Sequence, residues 1–164
     1  MLLRITMKLA QLLNELRKTR TYENFMKTYP DAYFAAAFFT LEENEENSKY
    51  QLDFFIPSEN RVATISYPFD EELKIQEDDI KNMIKLNEEI IVDADNLREK
   101  VNEIVKDIKF KTTKIIAILK DNKWNLTCLS ATLDMMRIHI DSITGKVEKS
   151  EKVSFIDFMK VVKK

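Results

Sequence analysis

Two stretches of the chain carry apolar residues at the spacing of an amphipathic helix. In both, successive apolar positions lie four, three, one and three residues apart. Steps of three and four bring side chains to one face of a helix, so each stretch is predicted to form a helix that buries that face. The first stripe is Ile5, Leu9, Leu12, Leu13 and Leu16, and the second is Leu97, Val101, Ile104, Val105 and Ile108.

Each predicted helix is followed by four short segments with the pattern of β-strands. Apolar residues alternate with polar ones, as in Met136, Ile138 and Ile140, which indicates strands with one buried face. The single glycine, Gly145, falls between two of these strands, where a tight turn favours positive φ. The predicted strands are residues 32–41, 49–56, 61–67 and 72–76, and then 112–120, 123–131, 135–142 and 146–153.

The two sets of elements predict an internal repeat. Tyr50–Phe54 lies 74 residues before Trp124–Cys128, and the two helical stripes are offset by 92 residues. The difference leaves about 18 additional residues in the first copy, from Arg17 to Asp31, which are predicted to add a further helical turn or two over the sheet. The predicted fold class is therefore α+β, a tandem repeat of a helix plus an antiparallel β-meander, cystatin-like, whose sheets pack or join.

The pattern divides the chain into three parts. Residues 1–76 are predicted to form the first helix–meander unit, and residues 96–164 the second. Residues 77–95 are predicted to connect the units through a short helix, which Asp78 or Asp79 would cap, and a short strand. The second unit is expected to end in a helix that turns its apolar residues inward. These are Phe155, Phe158, Met159 and Val162.

The second unit resembles a PepSY-type module over residues 94–150. The resemblance rests on Trp124 at the start of one strand, and on the stretch Met136–Val147, where a strand, an aspartate, a Thr-Gly turn and another strand follow one another. The first unit has Asp70-Glu71 in place of that turn, so it is similar only through the repeat. The resemblance implies a helix packed on a strand meander and a non-catalytic binding or regulatory role. Members of this family usually work outside the cytoplasm, often beside peptidases or in membrane proteins.

Composition places the chain among globular proteins, with its charge unevenly spread. Hydrophobic residues make up 45% of the chain and charged residues 33%, a balance that supports a buried core. Neither a membrane span nor a signal peptide is predicted, because Arg4 and Lys8 interrupt the apolar N-terminal stretch and no other apolar run is long enough. We therefore expect a cytoplasmic protein. Residues 31–95 carry five basic and seventeen acidic residues, whereas residues 96–164 carry fifteen and nine, which favours attraction between the halves.

Cys128 and His139 are the best candidates for a catalytic pair, because they lie on neighbouring predicted strands. A thiolate nucleophile needs a base within hydrogen-bond reach. A two-residue turn between the strands would place Cys128 opposite His139, whereas a three-residue turn would place Cys128 opposite Ile140 and turn His139 to the other face. The second register buries more apolar surface and is preferred. No catalytic residue is therefore predicted, and the protein is not expected to be an enzyme.

Other residue patterns argue against metal, phosphate and nucleic-acid sites. One histidine and one cysteine cannot supply a zinc site, and the acidic run Glu42–Glu46 lacks the ligand spacing and the glycine of a calcium loop. A phosphate-binding loop needs several glycines, so no metal and no cofactor are predicted. Lysines gather near Phe110 and Trp124, at positions 109, 111, 114, 120 and 123. Nucleic acid is nevertheless not expected as a partner, since the acidic remainder of the protein would repel phosphate.

Aromatic residues on both faces of the predicted sheet suggest a partner or a ligand. Adjacent residues of a strand face opposite sides, so Phe54 and Phe55 cannot both lie beneath the helix. The leading prediction is a non-catalytic binding or regulatory module for a protein or peptide partner, or for a second copy of the chain in a homodimer. Two alternatives stay open, namely a small-ligand-binding protein or enzyme with a pocket between helix and sheet, and nucleic-acid binding by the lysine-rich C-terminal half. The candidate binding residues are Tyr50, Phe54, Phe55, Trp124 and His139.

Overall fold

The computed structural model of the chain describes residues 7–80 and 82–153. Within these residues the chain forms three α-helices and one antiparallel sheet of eight strands, an α+β fold. The helices are α1 (Leu9–Arg17), α2 (Arg20–Thr28) and α3 (Leu97–Val105). The strands are β1 (Tyr33–Glu42), β2 (Lys49–Ile56), β3 (Arg61–Ser66), β4 (Lys74–Ile75), β5 (Thr112–Lys120), β6 (Lys123–Ser130), β7 (Met135–Asp141) and β8 (Val147–Val153).

The sheet is continuous, and its strand order is β4-β3-β2-β1-β5-β6-β7-β8. The first four strands form one half and the last four form the other. The halves meet at the middle, where β1 pairs antiparallel with β5 from Ala36 opposite Lys120 to Glu42 opposite Lys114. The sequence-based strand positions are confirmed to within two residues at every end. Of the two arrangements that were predicted, sheets packed or sheets joined, the structure has the joined one.

The helices bury the apolar residues of one sheet face, which we call the helix face. Leu9, Leu12, Leu13 and Leu16 of α1 are fully buried, as the apolar stripe predicts. The predicted insertion forms α2, which ends two residues before Pro30 and covers β2. The ring of Phe54 on β2 lies 5.7 Å from that of Tyr22 and 6.1 Å from that of Phe25, both on α2. The predicted C-terminal helix lies outside the described residues.

The opposite face of the sheet, which we call the open face, carries no helix of the described residues. Its first half is covered instead by the chain that follows β4. Ile80 and Met83 pack there on a small apolar cluster of the sheet. The members of this cluster on the strands are Tyr33, Ala35, Ala36, Phe55 and Val62.

The predicted connecting helix and short strand in residues 77–95 are wrong. Among the described residues between Ile75 and Ala94 there is neither element. The reason is that this backbone finds its hydrogen-bond partners elsewhere: Ile80 N–H donates to the carbonyl of Asn60 at 2.8 Å, and Leu86 N–H donates to that of Phe34 at 3.1 Å. A segment whose polar groups are satisfied by other parts of the chain gains little from forming a helix.

This connection passes around one end of the sheet, from the open face to the helix face. Asn87 N–H donates to the side chain of Asn122, in the turn between β5 and β6, at 2.8 Å. Further along, Ile91 and Val92 both donate to the carbonyl of Ser142, beyond β7. The carbonyl of Val92 accepts the indole N–H of the buried Trp124 at 2.7 Å. The connection is therefore fixed to both halves of the sheet.

Asp93 ends the connection and joins the starts of two helical segments. Its Oδ1 accepts the N–H of Leu9 at 2.8 Å, at the beginning of α1, and the N–H of Ala94 at 2.6 Å, at the beginning of the turn that leads into α3. Burial raises the pKa of this carboxyl, while the two N–H donors act in the opposite direction. One side chain thus fixes the position of the N-terminal helix relative to the second half of the chain.

We expect Asp93→Ala to lower the free energy of unfolding by about 1–2 kcal/mol, because two helix-terminal N–H groups lose their acceptor. Urea unfolding followed by circular dichroism measures the change. Asp95→Ala is the matched control, two residues away and without a side-chain bond to a helix start, and should change stability by less than about 0.5 kcal/mol. Equal losses in the two variants would contradict this assignment.

Candidate functional site

The structure does not bring the five predicted binding residues together. Tyr50, Phe54 and Trp124 lie on the helix face and are buried in the main core, so their side chains have no surface to present to a partner. Phe55 lies on the open face but is buried beneath Ile80 and Met83. Of the five, His139 alone keeps part of its side chain at the surface.

The strand register separates Cys128 from His139. Cys128 lies opposite Met136, and His139 lies opposite Asn125, so neither predicted pairing is present. The turn between β6 and β7 shifts the register by four residues from the preferred prediction, and an even shift leaves every side chain on its predicted face. Cys128 accordingly lies on the helix face, fully buried, while His139 lies on the open face with Arg137.

Desolvation makes the Cys128 thiol inert as a nucleophile. Burial raises its pKa to about 12, and the positive charge of Arg98 opposes this only weakly. A thiol with such a pKa is almost wholly protonated at neutral pH. The thiol is protonated, and His139 lies on the opposite face of the sheet, so the two side chains do not form a catalytic pair.

The acidic run at Glu42–Glu46 is held by the protein rather than arranged around an ion. Arg98 on α3 donates to the carbonyl of Glu42 at 2.7 Å, and its Nε lies 3.9 Å from the carboxylate of Glu45. Glu45 also begins a single turn of 3-10 helix, which the side chain of Asn44 caps. Within residues 7–80 and 82–153, no three His, Cys, Asp or Glu side chains converge as metal ligands.

Two lysines of the second half are paired with glutamates, and the two aromatic residues expected near the lysines are buried. Lys114 pairs with Glu42 at 3.4 Å, and Lys123 pairs with Glu148 at 2.8 Å, near opposite ends of the sheet. Phe110 and Trp124, expected near these lysines, are buried. No ring of these two is available to stack on a nucleic-acid base.

The second half of the open face contains an apolar groove of ≈ 700 Å³, which we call the β5–β7 groove. Its floor is formed by Ile116 on β5, Leu129 on β6 and Met135 on β7, and Leu133 from the turn between β6 and β7 forms one wall. Charged side chains surround these residues, namely Glu42, Lys114 and Arg137. An apolar surface with a charged rim is typical of a protein interaction site.

The floor of the β5–β7 groove occupies the same place in its half of the sheet as the covered cluster does in the other half. Leu129 and Met135 face each other at the end of the β6–β7 hairpin, as Phe55 and Val62 do in the β2–β3 hairpin. On β5, Ile116 pairs with the residue of β6 that lies two positions before Leu129. Likewise, on β1, Ala36 pairs with the residue of β2 that lies two positions before Phe55. The first site is covered by Ile80 and Met83, and no described residue covers the second in the same way.

Leu133 is in an unfavourable conformation for a large apolar residue. Its φ is +66°, in the left-handed region, and 59% of its surface is exposed. Asparagine or glycine is favoured at such a turn position, and the left-handed region costs other residues about 1–2 kcal/mol. Stability alone does not favour leucine here, and the side chain instead extends the apolar wall of the β5–β7 groove.

Asp53 is a second unusual residue of the open face. It lies on β2 between Ala36 and Thr64 of the neighbouring strands, and its carboxylate accepts a hydrogen bond from Gln51 Nε2 at 2.9 Å. Burial raises its pKa to about 6, and the bond from Gln51 acts against that shift. This carboxyl therefore changes charge close to neutral pH.

The comparisons with known proteins concern the fold. A crystal structure of a protein from Clostridium difficile 630, described as a "putative lipoprotein", is similar with a TM-score of 0.56 at 15% identity, over 92% of this chain and 96% of that one. At this identity the similarity shows a shared fold. No model of a protein family and no curated protein matches the chain. Among the described residues, no helix is long and apolar enough to cross a membrane.

We expect Cys128 in the folded protein to resist the thiol reagent DTNB at about pH 8, where a free cysteine is partly ionised and reacts. In concentrated guanidinium chloride the same thiol should react fully. The release of the coloured thiolate, followed by absorbance, measures both. Rapid reaction of the folded protein would show that the thiol is not buried as described.

We expect Asp53→Asn to raise the free energy of unfolding at pH 7 and above by up to about 3 kcal/mol, from the shift of its pKa to about 6. A carboxyl whose pKa is raised by folding destabilises the protein when it is ionised. The penalty is absent below about pH 4, the pKa in the unfolded chain, and is complete above about pH 6.

Urea unfolding of wild type and Asp53→Asn at several pH values tests this, with Asp70→Asn at an exposed position as the control. The advantage of Asp53→Asn should disappear as the pH falls from about 6 to about 4. A pH-independent difference would mean that packing, rather than ionisation, distinguishes the two side chains.

Proposed function

We propose that the protein is a non-catalytic interaction module that binds an extended apolar segment of a protein partner in the β5–β7 groove. One observation carries the proposal. Corresponding sites on the two halves of one sheet differ, because one is covered by an extended segment and the other is an apolar groove. The covered site serves as a guide to the kind of segment that the groove accepts.

The segment over the first half defines the chemistry of the partner. It is not helical, and it packs Ile80 and Met83, three residues apart, onto the sheet. Its backbone is bound through the N–H of Ile80 and through the carbonyl of Met83, which accepts the hydroxyl of Tyr33. We infer that the partner presents an extended peptide with two apolar side chains at this spacing, and that polar groups of the groove rim bind its backbone.

We also propose that the two halves are copies of one helix–meander unit, and that the second copy is PepSY-like. The mirrored strand order and the similar place of the two clusters support the repeat. Support for the PepSY-like assignment comes from the turn before β8. Gly145 adopts a φ of +80°, and the carboxylate of Asp141 accepts the N–H groups of Ile143 and Thr144, both at 2.9 Å. The aspartate and the Thr-Gly pair thus have a structural role in that turn.

The buried residues favour an interaction module over the two alternatives. Between α1 and the sheet Leu12, Leu13 and Phe39 are fully buried, as the side chains of a packed core are. A small-ligand protein of cystatin-like architecture would need an apolar pocket in that space. The ion pairs of Lys114 and Lys123 likewise reduce the positive charge available to phosphate.

A cytoplasmic location remains part of the proposal. The similar protein from Clostridium difficile 630 carries the word lipoprotein in its description, and that word describes that protein. The thiol of Cys128 is fully buried on β6. Attachment of a lipid to this thiol would require the core to open.

The proposal predicts that Leu133→Asn weakens binding without weakening the fold. Asparagine suits the left-handed position, so the free energy of unfolding should not fall, and should rise by up to about 1–2 kcal/mol as the strain of leucine is relieved. A phage-displayed library of short random peptides, selected on the full chain, supplies the probe. Selected peptides should contain two apolar residues three positions apart, and Leu133→Asn should weaken their binding by about tenfold, or about 1.4 kcal/mol.

Ile84→Asn is the matched control, since Ile84 is 57% exposed and lies outside the groove. Fluorescence polarisation with the selected peptide gives each dissociation constant. Peptides that bind Leu133→Asn and Ile84→Asn as well as they bind wild type would refute the groove as the site, and so would a selection that enriches no peptide.

A further inference from the structure

We infer that the segment bound in the β5–β7 groove carries an acidic side chain beside its apolar residues, and that Arg137 binds this carboxylate. The inference rests on the proposed function, because it specifies the partner of the same groove. The occupant is thus an extended segment of a protein partner that combines two apolar side chains with an aspartate or a glutamate. Three observations support the assignment.

The first observation is the balance of charge in the groove. Three charged residues of the described chain line it, namely Glu42, Lys114 and Arg137. Lys114 Nζ lies 3.4 Å from the carboxylate of Glu42, so these two charges offset each other. Arg137 is exposed, and among the residues that the structure describes its guanidinium forms no ion pair. The groove therefore presents one uncompensated positive charge to the segment that binds there.

The second observation is the position of Arg137. It lies on β7 two residues after Met135, on the same face of the sheet and about 7 Å along the strand. Thr127 lies directly opposite on β6, between Arg137 and Ile116, and it lines the groove as well. A guanidinium forms charge-assisted hydrogen bonds with both oxygens of a carboxylate, and a neighbouring hydroxyl is a further donor. A segment whose apolar side chains contact Ile116 and Met135 can place a carboxylate at these donors.

Glu151 is the carboxylate of this chain that could compete for Arg137. It lies opposite Arg137 on the exposed strand β8, and its carboxylate lies 3.7 Å from Lys149. Ion pairs between exposed side chains contribute little because water screens them. A segment that covers the groove excludes water from the guanidinium, and this strengthens the attraction to its own carboxylate.

The third observation is an acidic residue in the segment that covers the first half of the sheet. Asp79 comes immediately before Ile80, the first apolar residue of that segment, and its carboxylate lies 3.7 Å from Arg61 at the start of β3. Arg61 also donates to two backbone carbonyls of the same segment. Arg61 and Arg137 do not lie at corresponding positions of the two halves, so the similarity is one of chemistry. An arginine and a carboxylate accompany the apolar contacts of an extended segment on this sheet.

Peptides selected on the full chain test the inference. Those that bind should contain an aspartate or a glutamate next to the apolar pair, although the net charge of the protein is −2 and gives acidic peptides no general attraction. One selected peptide is then synthesised with an amidated C-terminus, in its acidic form and with the acidic residue replaced by the corresponding amide. We expect loss of the carboxylate to weaken binding to wild type by about fivefold in fluorescence polarisation.

Arg137→Gln should weaken the binding of the acidic peptide by about fivefold and that of the amide form by less than about twofold, because only the acidic form has a charge to pair. Lys120→Gln is the matched control, since Lys120 is exposed on the same face of the sheet and lies outside the groove. It removes the same charge and should leave both dissociation constants within about twofold of wild type. Equal losses for the two peptides in Arg137→Gln, or equal losses in Arg137→Gln and Lys120→Gln, would overturn the inference.

Leu133→Asn separates this inference from the proposed function. Selected peptides without an acidic residue, whose binding Leu133→Asn weakens, would refute the inference and leave the proposed function in place. Acidic peptides that depend on Arg137 but bind Leu133→Asn as tightly as wild type would refute the proposed function, because their carboxylate would then be recognised without the apolar groove. A selection that enriches no peptide would refute both.

Discussion

The pairing of β1 with β5 is the contact on which the rest of the structure depends. It joins strands that are far apart in sequence through seven residue pairs, and it makes one eight-stranded sheet out of two halves. Without it, each half would expose a long, largely apolar strand edge. Packing across the junction reinforces it, since the rings of Phe39 on β1 and Trp124 on β6 lie 5.8 Å apart. The connection between the halves, bound at Ser142, Trp124 and Leu9, can follow its path only once the two halves are joined.

The same pairing gives the molecule two unequal open surfaces side by side. In the first half, the chain that leaves the sheet returns over it and buries Phe55. In the second half, Ile116, Leu129 and Met135 form the floor of a groove, and Leu133, in a left-handed turn conformation, forms one apolar wall. Among the described residues, the first half has a segment over the sheet and the second half has a groove, and the proposed function concerns what binds there.

The sequence was informative where structure follows from local pattern. Alternation along strands such as Met135–Asp141 specified their positions, and the stripe of Leu9, Leu12, Leu13 and Leu16 specified the buried side of α1. The connection after β4 was mispredicted because Ile80 and Met83 have helical spacing but satisfy their backbone through distant partners. The binding residues were chosen for aromatic content, which here marks the core. The groove could not be found by that criterion, because it depends on a strand register and on the φ of Leu133, and neither is apparent from the residues themselves.

The two outer strands of the sheet are poor templates for the addition of further strands. At one edge, β4 is only two residues long, and at the other, β8 is exposed along almost its whole length and rich in lysine and glutamate. Lys149 and Glu151 pair with each other across that surface at 3.7 Å. A short edge and a charged edge both discourage further strands from adding to a sheet. Both outer strands of the described sheet therefore oppose its growth into a continuous fibril.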